Sequence, residues 1–117
     1  MSIEALWSVE FASTAGLGRG VVVFESGGLF GGDPDYIYTG QYNLKSGGDG
    51  LRGEVEVTNY SGHMTSVFGP LKRFKLLIET SLPASDDIGT TLQAEGQLVG
   101  NPSAKIELNL TKRAHLP

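Results

Sequence analysis

Asp33 and Asp35 flank Pro34, and two carboxylates at that spacing could hold a hard cation or share acid–base work. In a Gly-Gly-Asp-Pro-Asp turn the same groups more simply accept hydrogen bonds from the turn's own backbone. His63 stands near Ser66, and Asp49 would complete a Ser-His-Asp trio. Nothing around Ser66, however, has the strained strand-to-helix turn that presents such a nucleophile. The other histidine, His115, lies at the frayed end, and the two have no metal-ligating spacing. Gly16-Leu17-Gly18-Arg19-Gly20 has the glycine density of a phosphate-cradling loop. That loop works by opening a helix whose N-terminus holds the anion. Here the sequel is Val21-Val22-Val23-Phe24, which reads as a strand. The sequence therefore predicts no catalytic residue, no cofactor and no metal ligand; the expectation is a protein that is not an enzyme.

Composition narrows the class further. A chain of 117 residues reads as one domain, 1–117, able to bury roughly two-thirds of its unfolded surface. It has no cysteine, so its core needs no disulfide and it offers no thiolate to a metal. A net charge of −4 and a pI near 5.0 repel phosphate backbones. Lys72, Arg73 and Lys75, with Lys112 and Arg113 near the end, are the only basic clusters, and they read as solvated strand faces. Direct nucleic-acid binding is not expected. The start, Met1-Ser2-Ile3-Glu4-Ala5, lacks the basic and apolar regions of a secretory signal, and Val21–Phe24 is too short to span a bilayer. The expected setting is the cytoplasm, without a membrane partner.

The elements that must position these residues show themselves by a period of two. Trp7, Val9 and Phe11 alternate with Ser8, Glu10 and Ala12; Val55 and Val57 alternate with Glu54 and Glu56; Ile106, Leu108 and Leu110 alternate with Lys105, Glu107 and Asn109. Strands are expected at about 6–12, 19–25, 29–30, 36–45, 51–59, 71–80, 90–99 and 104–111. Turns at Ser26-Gly27-Gly28, Gly31–Pro34, Ser46–Gly50 and Gly100–Pro102 separate them. The stretch 60–70 is irregular. Tyr36, Tyr38 and Tyr42 share a parity with Gly40, where a glycine lets the sheet bend or another group cross over it.

About eight strands joined by short turns make a meander, and closing a meander removes its two edges. The expected fold is all-β: a single up-and-down antiparallel barrel. The aromatics are expected to fill its interior, since a barrel of this size holds either side chains or one small ligand. A small carrier of an apolar ligand is the alternative reading. Filling by Trp7, Phe11, Phe74, Leu76, Leu92 and Leu108 would argue against a carrier, and a dry void of several hundred Å3 would argue for one.

One local pattern reaches further. Gly31-Gly32-Asp33 is followed by Tyr38 five residues after the Asp, and by Gly40 two residues later. The segment 28–40 resembles the corresponding hairpin of the GrlR family, negative regulators of type III secretion. The likeness is collinear over nearly the whole chain, from Leu6-Trp7-Ser8-Val9-Glu10-Phe11 to Ser66-Val67 and Arg73-Phe74-Lys75-Leu76-Leu77-Ile78. The resemblance implies a lipocalin-like barrel, a homodimer, and a cytoplasmic regulator that binds a helix-turn-helix transcriptional activator and keeps it from DNA. That family's acidic regulatory loop falls at 45–50, where this chain keeps only Asp49. The expected partner-binding residues are Asp33, Asp35, Tyr36 and Tyr38, with Asp49, His63, Val67 and Phe68. Val21, Val22, Val23 and Phe24, apolar on both faces, are the expected dimer surface.

Overall fold

Alternation on one side of each strand is enough to close this chain on itself. The computed structural model describes residues 2–13, 16–64, 66 and 68–117. Among the described residues there are eight strands and no helix: β1 (Ala5–Ser13), β2 (Gly16–Glu25), β3 (Gly28–Gly32), β4 (Tyr36–Leu44), β5 (Gly50–Asn59), β6 (Arg73–Ser81), β7 (Thr91–Leu98) and β8 (Asn101–Ala114). Each pairs antiparallel with the next, and β8 returns to β1, giving a closed up-and-down barrel. Successive connections therefore fall at alternate ends. The β1–β2, β3–β4, β5–β6 and β7–β8 connections form one end, here called the rim. The segment before β1 lies with the β2–β3, β4–β5 and β6–β7 connections at the other end, the floor.

The inward rows are those the alternation marks. Trp7 and Val9 on β1, Val55 and Val57 on β5, Leu76 and Ile78 on β6, Leu92 on β7, and Ile106 and Leu110 on β8 are all buried. Burying each such side chain contributes about 1.5–3 kcal/mol. The β2–β3 hairpin turns on Ser26 (φ 51°) and Gly27 (φ 82°). Two left-handed residues suit a two-residue hairpin, because their twist matches that of the strands.

Four readings need correction. First, β2 is not covered on both faces. Val22 and Phe24 point into the barrel (6% and 3% exposed), while Val21 and Val23 point outward. The apolar run hid an ordinary alternation, so half of the expected dimer surface is core. Second, Lys112 is not solvated. It is 1% exposed, because it continues the inward row of Ile106, Leu108 and Leu110. Third, β8 runs from Asn101 to Ala114, well beyond the expected 104–111. A bulge opposite Leu6 and Trp7 lets its last turn of pairing reach the floor. Fourth, the interior is not filled: the barrel encloses a cavity of about 310 Å3.

The floor is sealed. Ile3, Ala5, Trp7 and Leu51 are buried there, and the Trp7 Nε1–H donates to the Ile3 carbonyl at 2.8 Å, folding the chain start beneath the barrel. The Ser2 N–H reaches Asp86 Oδ1 at 3.2 Å from the β6–β7 loop.

Candidate functional site at the barrel rim

The rim is organised by Asp33. Its Oδ1 accepts from the backbone N–H groups of Asp35 (2.9 Å) and Tyr36 (2.7 Å), which fixes the β3–β4 turn around Pro34. Its Oδ2 accepts from the Tyr38 hydroxyl. Burial, that hydrogen bond and the adjacent carboxylate charge all push the Tyr38 hydroxyl pKa far above its ordinary value. Asp33 thus does the turn-capping work expected of it and also holds a tyrosine across the barrel mouth.

Glycines make room for that tyrosine. Gly20 lies on the inner face of β2, and a Cβ there would stand 2.6 Å from the Tyr38 hydroxyl. Gly31, on β3, is the register partner of Tyr38 on β4 and of Val22 on β2. A Cβ at Gly18 would enter the Phe11 ring, at 2.1 Å. The glycine-rich run 16–20 is therefore a strand whose inner face is pared away where aromatic rings cross it. This role was missed in the sequence, although the alternation of Gly18 and Gly20 with Leu17 and Arg19 was its visible sign.

The β5–β6 connection is tied to the same turn. The Tyr60 N–H donates to the Asp35 carbonyl (2.9 Å), the Tyr60 hydroxyl to the Asp33 carbonyl (2.7 Å), and the Ser61 hydroxyl to Asp35 Oδ1 (2.7 Å). Buried Asn59 donates to the carbonyls of Asp35 (3.1 Å) and His63 (2.6 Å). His63 is exposed, with its Nδ1 3.9 Å from Asp35 Oδ1. Below it, the Tyr36 hydroxyl donates to the Leu71 carbonyl at 2.7 Å. Phe74 meets Tyr36 and Phe68 edge-on, with ring centres 6.0 and 5.5 Å away.

Asp33, Asp35, Tyr36, Tyr38 and Phe68 thus come together, and all five line the cavity where it meets the rim. Tyr36 is 3% exposed, so it supports the rim from within and cannot contact a partner directly. Asp49 is not part of the group. It lies in the exposed β4–β5 turn at the floor, the opposite end of the barrel. The Ser66–His63–Asp49 trio is split between the two ends for the same reason. Val67 lies outside the described residues. Among the described residues no three His, Asp or Glu groups converge as metal ligands would.

The outer wall has two characters. Across β5–β8 it is laced with ion pairs: Glu56–Arg73 (3.5 Å), Glu54–Lys75 (3.6 Å), Glu79 with Arg52 (3.1 Å) and Lys45 (3.0 Å), and Glu95–Lys105 (3.7 Å). The basic cluster around Arg73 is thereby neutralised by Glu54 and Glu56. Across β2–β4, between Arg19 at the rim and Glu25 at the floor, the wall is uncharged. Val23 pairs with Phe30, Phe30 with Thr39, and Ile37 lies opposite Gly32. Val21, Phe30 and Ile37 are each about half exposed there (49%, 48% and 45%).

No protein-family model and no curated protein matches the chain.

Proposed function

We propose that this chain is a non-enzymatic regulatory binding protein of the GrlR kind. It acts in the cytoplasm by contacting a helix-turn-helix transcriptional activator and keeping it from DNA. The observation that carries this reading is the rim. Asp33 and Tyr38, two residues of the resemblance, are built into a single preorganised end of the barrel together with Asp35 and the β5–β6 connection. Its exposed edge carries carboxylates, and the DNA-reading surface of an activator is basic, so the two attract each other. Asp49, at the floor, takes no part in this contact.

The uncharged wall of Val21, Val23, Phe30 and Ile37 suits a second copy of the chain. Contiguous exposed apolar side chains of this kind mark association surfaces, and an isologous pair would cover both at once. Homodimerisation through this wall leaves the rims free.

The test uses purified protein and captured partner together. Affinity capture from the native host is expected to recover a helix-turn-helix activator with the wild-type chain, and less of it with Leu17→Lys, which sets a positive charge at an exposed rim position beside the carboxylates. The recovered activator is expected to leave its DNA site as the chain is added. An activator that stays on its site at saturating chain, or capture of no DNA-binding protein, overturns the reading. Light scattering is expected to give about twice 12.4 kDa for the wild type and 12.4 kDa for Phe30→Glu. A wild type that stays at the smaller mass removes the dimer.

A second reading, a carrier of a small apolar ligand, is favoured by one observation, the cavity of about 310 Å3. It ranks second because ligand sites span roughly 300–1,000 Å3 and this one is at the lower end.

A further inference from the structure

The cavity is more selective than its volume suggests, and its selectivity follows from where hydrogen-bond donors are missing. Below the rim its wall is hydrocarbon, with Val9, Val22, Leu29, Val55, Leu76 and Leu92 among the lining. Among the described residues Thr80 is the one polar side chain lining that part, and its hydroxyl proton is already given to the Gln93 carbonyl at 2.8 Å. The Tyr36 and Tyr38 hydroxyl protons are likewise committed, to the Leu71 carbonyl and to Asp33. No buried side-chain nitrogen or oxygen among the described residues lacks a partner. An occupant therefore meets no donor waiting for it in the interior.

Charge at the mouth acts in the same direction. Asp33 and Asp35 line the entrance, and the guanidinium of Arg19, also at the entrance, already faces Glu10 at 3.7 Å. An anion drawn below the rim would leave water, and the exposed Arg19 at the mouth, without a compensating donor inside, and would pass two carboxylates, each of which costs free energy. A neutral apolar molecule meets neither penalty. A dry apolar cavity of about 150 Å3 admits benzene. One of about twice that volume has room for two fused rings or a medium-length alkyl chain.

We propose that the barrel interior is a binding site for uncharged apolar molecules of about two rings or ten carbons, entered at the Asp33–Tyr38 rim, and that it rejects the fatty-acid anions of the same length. This rests on the carrier reading above and narrows it to one class of ligand.

The experiment is a fluorescence titration of the intact chain with N-phenyl-naphthylamine, a neutral probe that brightens in apolar surroundings. Decan-1-ol and decanoate are then used as competitors at a pH where decanoate is ionised. Saturable brightening is expected, with decanol displacing the probe at a concentration at least about ten-fold lower than decanoate, a discrimination of about 1.4 kcal/mol. Ala94→Phe places a ring in the void and is expected to abolish brightening while leaving the circular dichroism of the barrel intact. Val55→Phe does the same from β5, two strands away, should the first variant fail to fold. Asp35→Asn is expected to narrow the gap between decanol and decanoate. If the probe does not brighten, or brightens equally with both filled variants, the carrier reading falls and the proposal with it. If the probe binds and decanoate competes as well as decanol, the carrier reading stands and the restriction to neutral ligands is overturned.

Discussion

The Lys112 ammonium lies 5.4 Å from the centre of the Trp7 ring, inside the sealed end of the barrel. The two residues are register partners across the β1–β8 seam that closes the sheet. The ammonium also stands 3.9 Å from Asp86 Oδ1, and this carboxylate, unlike the lysine, is largely in water. A cation over an aromatic face is worth about 2 kcal/mol when desolvated, and burying the charge costs a comparable amount.

Those opposed terms make a sharp prediction for position 112. Lys112→Met keeps the packed stem, and Asp86 can be solvated once its partner is gone, so stability is expected to change by less than about 1 kcal/mol. Lys112→Ala opens a void under Trp7 and is expected to cost about 3 kcal/mol. Urea unfolding curves of the two variants check this. Equal losses for Met and Ala would mean that the charge, rather than the stem, holds the floor.

The Tyr38–Asp33 contact predicts an alkaline limit to stability. The Tyr38 hydroxyl is held protonated in the fold by burial, by its hydrogen bond to Asp33 and by that carboxylate's charge, while in the unfolded chain it ionises near its ordinary value of 10.0. A group whose folded pKa is raised contributes in full below the unfolded pKa and loses its contribution above it. The urea midpoint is therefore expected to hold steady up to about pH 9 and fall as pH rises past 10. Tyr38→Phe should fall less steeply over the same range. A wild type and a Tyr38→Phe variant with parallel alkaline profiles would show that Tyr38 ionises freely.

Gly40 predicts a steric contrast. A Cβ there would lie 2.0 Å from the Glu54 carbonyl oxygen and 2.9 Å from the Val55 Cα, both backbone atoms of β5. Gly40→Ala must push two paired strands apart and is expected to cost at least about 3 kcal/mol. Gly48, in the β4–β5 turn, has φ +73° and open space around it. Gly48→Ala should cost about 1 kcal/mol, from backbone strain alone. Thermal denaturation of the two variants side by side tests it, and similar midpoints would mean that β4 and β5 can separate at Gly40 without loss.

The inner and outer rows were legible because alternation is local: each residue's side follows from its neighbour's. Trp7, Val9 and Phe11 were assigned correctly this way, as were Phe74, Leu76 and Ile78. The reading went wrong where residue type masked parity. Lys112 shares the parity of Ile106, Leu108 and Leu110, but its charge suggested water. Val22 and Phe24 sit in an apolar run whose neighbours are equally apolar, so only the pairing of β2 with β1 and β3 decides which of them face inward. At the rim, Asp33 was recognisable as a turn cap, whereas the passage of its partner Tyr38 over Gly20 brings β4 against β2 and leaves no local trace.

The alternating chain with its turn residues determined by itself that this protein is a closed β-barrel, and which side chains line it. Whether that lining meets in the middle was decided only in three dimensions. Barrel width is set by strand number and tilt, while filling depends on the summed volumes of side chains from all eight strands. Inward glycines at 18, 20, 31 and 40 subtract from that sum, rings crossing over Gly18 and Gly20 restore part of it, and the remainder is the cavity.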